Sequence, residues 1–254
     1  MRLRYLKTGW LMTIGEMLRN RIILILLLVI PSVFFTITRL TTPIYDVFFK
    51  LASLSEETYV QVSLRSEALV FIGIATVGLL AAFLALNLIQ KSDTVNRRLI
   101  LCGYSTGELA LTRFGVLLFL LLILGAYICL ISLLFFQPRH LFQMYIGFFS
   151  TGYVYGAYGL FIGAMVRREL EGILLVVLLA NIDIGWLQNP VFYADAQSKI
   201  IIHYLPAFCP SQVSMIAAFT DYSILKPLAG SLLYRILFLV AAFFIFWTKI
   251  RIYR

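Results

Sequence analysis

The sequence predicts an all-α protein that crosses a membrane several times. Of its 254 residues, 61% are hydrophobic and 13% are charged, whereas a globular protein has about 45 to 50% apolar and about 25% charged residues. Long apolar runs with at most one charged residue each occupy about half of the chain. Because little sequence is left for a soluble domain, we expect a single transmembrane domain over residues 1–254.

Six apolar runs approach or exceed the length of helix that crosses a bilayer, about 20 residues. They cover residues 22–38, 68–89, 114–136, 141–166, 172–187 and 228–248. The first and the fifth are the shortest. The sequence therefore predicts six transmembrane helices.

Residues 1–21 predict a helix that lies in the membrane interface. Leu3, Leu6, Trp10 and Ile14 recur at helical spacing, with basic residues on other faces that can meet lipid headgroups. A signal peptide also begins with basic and then apolar residues, but no small-residue cleavage site follows this apolar run. We therefore expect the segment to remain uncleaved.

The distribution of Lys and Arg predicts the orientation, because basic loops resist translocation. Basic residues concentrate before residue 22, between residues 91 and 113, at Arg167 and Arg168, and at the C terminus. We expect these parts and both termini to be cytoplasmic, in a multi-pass protein of the plasma (inner) membrane. Anionic membrane lipid then accounts for the net charge of +9, and no nucleic acid partner is needed.

Two outer segments follow from this topology. Residues 39–67 are polar and predict a solvated connector. Residues 188–227 contain two apolar pieces too short to span, each closed by proline, at Pro206, Pro210 and Pro227. The short helices expected there can form either a re-entrant hairpin in the outer leaflet or a compact loop over the last two spans, and the sequence leaves both open.

Glycines recur along one face of the fourth predicted span, at residues 152, 156, 159 and 163. A face without side chains lets helix backbones approach closely in lipid. We expect this face to pack within the chain rather than to form a subunit interface.

The residues expected of a membrane enzyme are missing from the sequence. His140 and His203 are isolated, and no span has the repeated aspartates that would hold Mg²⁺. The glycines of residues 73–78, GIATVG, are spaced as in a phosphate loop but lack the Lys and Ser or Thr that should follow, so we predict a packing role. A transporter, a channel or an assembly subunit remains.

The loop over residues 90–113 is too charged to enter a bilayer, yet it contains helix signals. Asp93 can cap a short helix that Gly103 can end. Ser105 and Glu108 then form a capping box at the start of the next helix. A short helix with defined ends is stiff enough to transmit force, although an amphipathic turn resting on lipid would give similar signals.

This loop, SDTVNRRLILCGYSTGELALTRFG, resembles the corresponding segment of the ABC transporter type-2 permeases. The polar start, the threonine, the paired leucines and the S..E pattern recur there. The six spans, the N-terminal helix and the segment YLPAFCPSQVSMIAAF also resemble that family. The likeness covers nearly the whole chain, and the order of the motifs is its specific part.

The resemblance implies a half-transporter that pairs with a second permease subunit, as a homodimer or a heterodimer. It also implies two separate ATP-binding cassette subunits, which would hold ATP and Mg. Residues 94–101 would be the coupling helix, and a lipid, glycan, peptide or drug would be moved outward. The residues implied for coupling to the ATPase are Asp93, Thr94, Arg97, Arg98, Leu99 and Glu108.

The segment before the last span would be an outer gate, for which we single out Pro206, Phe208 and Pro210. These residues lie in an apolar stretch that cannot span.

Asp183 and Arg235 are the charges placed well inside predicted spans, at similar depth by helical rise. An isolated charge there costs about 2.5 to 3.5 kcal/mol on insertion scales, so we expect them to pair. Pairing across a dimer, pairing with substrate and snorkelling of Arg235 are the alternatives.

Two other functions stay open for the protein. In an ion-coupled secondary carrier, Asp183 and Arg235 would both be coupling groups. A non-transporting scaffold is the third interpretation.

Overall fold

The computed structural model describes residues 3–51, 59–90, 106–166, 168–194 and 199–251, and most of these are helical. The helices in chain order are α1 (Leu3–Arg19), α2 (Arg21–Thr41), α3 (Leu64–Gln90), α4 (Thr106–Leu133), α5 (Leu141–Met165), α6 (Glu169–Ala180), a π-helix (Asn181–Leu187), α7 (Pro190–Ala194), α8 (Lys199–His203), α9 (Phe208–Phe219) and α10 (Leu225–Arg251). Strands β1 (Asp46–Lys50) and β2 (Tyr59–Ser63) form an antiparallel hairpin.

Five of these helices are long and apolar enough to cross a membrane. They are α2, α3, residues Gly107–Leu133 of α4, α6 with its π-helix, and residues Leu225–Ile245 of α10. The prediction of an all-α, multi-pass membrane protein is confirmed at this level. The predicted count of six spans is not confirmed, because α5 is not among these five helices.

Helix α5 lies at the centre of the bundle, and its glycines bring it close to α3 and α4. A Cβ atom added at Gly159 would lie 2.8 Å from the Cα of Ala82 in α3. One at Gly156 would lie 3.2 Å from a methyl group of Leu121 in α4. The glycine face packs within the chain, as predicted, because neighbouring helices occupy the space that side chains would fill.

The glycines of residues 73–78 also serve packing, as predicted. A Cβ atom at Gly73 would lie 3.1 Å from the ring of Phe148 and 3.2 Å from that of Phe35. Gly78 receives the side chain of Ile184, which a Cβ atom would overlap. These contacts hold α3 against α2, α5 and the π-helix.

The N-terminal segment is helical over Leu3–Arg19, as predicted, and it packs against the first half of α4. Its place in the membrane interface stays a prediction. The ring of Trp10 lies 5.5 Å from that of Phe119, in an edge-to-face arrangement. Gly9 faces Thr112, whose side chain would lie 3.2 Å from an added Cβ atom. Thr13 of α1 is buried as well, so α1 is fixed to the bundle along one face.

The hairpin corrects the prediction of a solvated connector over residues 39–67. Phe49 and Leu51 are buried, and the ring of Phe49 meets that of Phe219 in α9 at 6.2 Å. Phe49 pairs with Val60 across the hairpin. Because alternate residues of a strand face opposite sides, Phe48 and Gln61 remain exposed while their neighbours turn inward.

Short helices do occupy residues 188–227, as predicted, but two of the prolines do not end them. Pro210 lies in the first turn of α9 and Pro227 in the first turn of α10. Proline is tolerated there because the first amides of a helix have no intrahelical acceptor. Helix α9 is almost wholly buried and, at 12 residues, is about 18 Å long, too short to span a bilayer.

Candidate functional site

Asp183 lies in the π-helix that continues α6, and only 5% of its surface is exposed. The backbone amide of Gln188 donates a hydrogen bond to the backbone carbonyl oxygen of Asp183 at 3.2 Å. A bond between residues five apart is the wide turn that defines a π-helix. Such turns occur frequently at functional sites. The side chain of Ile184 packs against Gly78 of α3. This contact fixes the position of the neighbouring Asp183.

The carboxylate of Asp183 accepts hydrogen bonds from three different parts of the chain. The hydroxyl of Tyr155 in α5 donates to Oδ2. The amide of Ala207, between α8 and α9, also donates to Oδ2 at 3.0 Å, and the side chain of Gln188 donates to Oδ1 at 3.0 Å. These donors are buried with it, so the site ties α5, the π-helix and the loop before α9 together.

The predicted pair of Asp183 with Arg235 is wrong for this structure. Arg235 lies on α10 with its guanidinium 4.1 Å from the ring centroid of Tyr153, and neutral groups donate hydrogen bonds to Asp183 instead. A cation over an aromatic face gains about 0.5 to 2 kcal/mol, which offsets part of the cost of placing Arg235 in an apolar span. The Nε atom of Arg235 is buried and has no hydrogen-bond partner among the described residues.

A cavity of about 130 Å³ adjoins Asp183. Its lining combines Asp183 with two tyrosines and four apolar residues: Tyr155, Tyr158, Leu179, Ile182, Leu205 and Pro206. The hydroxyl of Tyr158 is buried and makes no hydrogen bond within the described part of the chain. Leu179 and Ile182 are 40% and 41% exposed, so the apolar side of the cavity borders the outer surface of the bundle.

A second, larger cavity of about 280 Å³ lies between α2, α3 and α6. Asn87, Gln90 and Glu169 provide its polar lining. Gln90 ends α3 and donates to the carbonyl oxygen of Val166 at 3.5 Å. Asn87 also lines a small cavity together with Thr13 and Glu16 of α1, which places these polar residues toward the end of the bundle that holds α1.

The predicted gate residues lie beside the Asp183 cavity. Pro206 lines it, Phe208 begins α9, and Pro210 is buried in the first turn of α9. The ring of Phe208 lies 4.5 Å from that of His203, whose Nε2 is 2.5 Å from the hydroxyl of Tyr193. Burial raises the pKa of Tyr193 above its ordinary value. The gating role itself stays a prediction.

Most of the predicted coupling residues lie outside the described residues, namely Asp93, Thr94, Arg97, Arg98 and Leu99. Glu108 lies in the first turn of α4 and is 9% exposed. Its backbone carbonyl accepts a hydrogen bond from the hydroxyl of Thr112 at 2.8 Å. The structure therefore places only Glu108 of this set, in the first turn of α4.

Sequence reasoning missed the partners of Asp183, although two signals for them were present. Tyr155 and Tyr158 are three residues apart on a helix, a spacing that puts both on one face. Gln188 follows Asp183 by five residues, within reach only because the intervening turn is a π-helix. Within the residues that the structure describes, no group of three His, Cys, Asp or Glu side chains could hold a metal ion.

A scan of the sequence against protein-family models finds no match. A search of curated proteins finds no significant match either.

Proposed function

We propose that this chain is the transmembrane subunit of an ATP-driven ABC exporter that moves a hydrophobic or amphipathic substrate outward. Two separate ATP-binding cassette subunits would supply the energy, and a second permease subunit, identical or different, would complete the pathway. The proposal begins from the resemblance of residues 92–115 to the type-2 permeases and gains support from three features of the bundle.

The packing of α1 on the first half of α4 is the observation that supports the proposal most strongly. Helix α4 begins at Thr106, five residues after the end of the predicted coupling helix, residues 94–101. The contacts of Trp10 with Phe119 and of Gly9 with Thr112 join α4 to α1. A displacement at the start of α4 would therefore move both helices together, which is what force transmission from an ATPase requires.

The second feature is the path of α5, which we propose to be the sixth span. Helix α5 runs beside α3 in the same direction, with Gly152 near Val77, Gly159 near Ala82 and Gly163 near Ile89. It has 25 residues, about 37 Å of helix, enough to cross the bilayer that α3 crosses. Six spans would return both termini to the cytoplasmic side, in agreement with the distribution of Lys and Arg.

The third feature is the pair of cavities at different depths. The cavity between α2, α3 and α6 would admit substrate near the cytoplasmic side. The Asp183 cavity would lie near the outer side, beneath α8 and α9, which we propose form the re-entrant gate. An exporter needs both an entry region and an exit region along one bundle.

The test is reconstitution with the ATP-binding cassette protein that co-purifies with the chain. We expect the chain to stimulate ATP hydrolysis, and reversal of Arg97 and Arg98 to Glu to abolish stimulation while membrane insertion is retained. The matched control is reversal of Arg167 and Arg168, a basic pair on the same predicted side, which should leave stimulation intact. Unchanged stimulation after the first reversal would reject the coupling role.

An ion-coupled secondary carrier is the second candidate, because Asp183 is a buried carboxylate in a candidate membrane span and adjoins a cavity. Such carriers move protons or sodium through groups of this kind. Proteoliposomes separate the two functions. Substrate movement driven by a pH or sodium gradient without ATP would favour the carrier, whereas movement that needs both ATP and the partner would favour the exporter.

A further inference from the structure

We propose that the cavity beside Asp183 binds the primary ammonium head of an amphiphile. Its volume is about 130 Å³. A cavity of about 150 Å³ in another protein accepts benzene, so this one has room for a head of roughly half a dozen heavy atoms.

The walls of the cavity are almost wholly apolar, and the buried polar groups of its lining have unused hydrogen-bonding capacity. A carboxylate offers about four lone-pair sites, and Asp183 uses three, two of them on Oδ2. Tyr158 is 8% exposed and lines the same cavity, and its hydroxyl has no partner among the described residues. Because a buried hydroxyl without a partner is unfavourable, the site is suited to a ligand that supplies one.

An ammonium group matches this arrangement better than a hydroxyl group does. It has three N–H donors, and two acceptors with unused lone pairs, Asp183 and Tyr158, belong to the lining of this cavity. The rings of Tyr155 and Tyr158 lie edge to face with centroids 5.8 Å apart, and aromatic faces attract cations.

Charge also favours a cation in this cavity. No basic side chain forms an ion pair with Asp183 in the described part of the chain, and Arg235 is engaged with Tyr153. A carboxylate in a low-dielectric site interacts strongly with an opposite charge at short distance.

The apolar side of the cavity indicates the rest of the ligand. Leu179 and Ile182 are partly exposed on the outer face of the bundle, opposite Leu205 and Pro206. An alkyl tail attached to the bound head would lie along these residues and reach the surrounding lipid. Binding of such an amphiphile is a property of the chain alone, whereas its identity as the exported substrate rests on the proposed function.

The test is equilibrium dialysis of labelled dodecylamine against the purified full-length chain in maltoside micelles, with protein-free micelles as the blank. We expect saturable binding at one site per chain, at least tenfold tighter than binding of dodecanol. Tyr158→Phe should weaken binding about threefold to tenfold, the range of a single hydrogen bond.

The variant set separates a binding role from a folding role. Tyr158→Phe removes a hydroxyl that has no hydrogen-bond partner among the described residues, so the fold should tolerate it. The matched control, Tyr127→Phe, removes a hydroxyl that lies between Ser32 and Leu28, away from the cavity, and should leave dodecylamine affinity unchanged. Binding no greater than the blank, equal affinity for dodecanol, or unchanged affinity in Tyr158→Phe would overturn the proposal.

Two sources can supply the ammonium group, and competition distinguishes them. If added phosphatidylethanolamine displaces dodecylamine while phosphatidylglycerol does not, a lipid headgroup is the natural occupant. If neither lipid displaces it, the site takes a free amphipathic amine. If dodecylamine does not bind but the chain still stimulates ATP hydrolysis, the binding site is rejected and the exporter function is not. If dodecylamine binds but no ATP-dependent movement of substrate occurs, the exporter function is rejected and the binding site is not.

Discussion

The hydroxyl of Tyr155 donates a hydrogen bond to the carboxylate of Asp183, and the two residues are 2% and 5% exposed. This bond joins the central helix α5 to the π-helix. Since the amide of Ala207 donates to the same carboxylate, the loop that begins α9 is fixed to the same point. Three elements far apart in sequence therefore depend on one acidic side chain.

Tyr155→Phe should lower the stability of the protein, by about 1 to 3 kcal/mol, because a buried carboxylate loses one of its donors. Tyr158→Phe removes the hydroxyl of a neighbour that makes no hydrogen bond among the described residues, and should change stability little. The unfolding midpoint in detergent measures both. Equal losses of stability from the two substitutions would show that the hydrogen bond from Tyr155 to Asp183 does not stabilise the fold.

Gly159→Ala should destabilise the contact between α5 and α3. The added Cβ atom would overlap the backbone oxygen of Ala82 and lie 2.8 Å from its Cα, and overpacking of this kind costs about 1 to 3 kcal/mol. The matched control is Gly15→Ala in α1, where an added Cβ atom meets nothing within 4 Å. That change should be neutral or slightly stabilising, because alanine favours helix over glycine. Tolerance of both substitutions in the same unfolding assay would contradict the close packing.

Asp221→Asn should have only a small effect, below about 1 kcal/mol, even though Asp221 pairs with both Arg139 and His140. The side chains are 58% and 69% exposed in the pair with Arg139, so water screens the attraction. Backbone bonds from Arg139 to Ala218 and from His140 to Ala217, both 3.0 Å, hold the same loops together without the carboxylate. A loss as large as that of Tyr155→Phe would show that this surface cluster is structurally important.

Cys209 should react slowly with a membrane-impermeant thiol reagent added from outside the cell. It is partly exposed, but its sulfur lies only 2.5 Å from where a Cβ atom of Gly230 would be, so α10 restricts access. A variant with Cys102→Ser and Cys129→Ala isolates the reaction, and a variant that keeps Cys102 alone should react only after permeabilisation. Labelling of Cys209 from the cytoplasmic side alone would contradict both the proposed topology and the outer gate.

The sequence by itself determined the class of the protein. Runs of about 20 apolar residues predicted membrane helices because a chain in lipid must satisfy its backbone bonds locally. Helix α1 and the packing role of Gly156 and Gly159 followed from helical periodicity. Each of these features depends on residues close together in the chain.

Only the tertiary structure decided which groups meet across the bundle. Depth along two helices predicted that Asp183 would pair with Arg235, but depth does not fix the rotation of a helix about its own axis. The wider turn at residues 181–187 and the seating of Ile184 on Gly78 set that rotation. As a result, the carboxylate of Asp183 accepts hydrogen bonds from Tyr155 and Gln188. The guanidinium of Arg235 lies over the ring of Tyr153 instead.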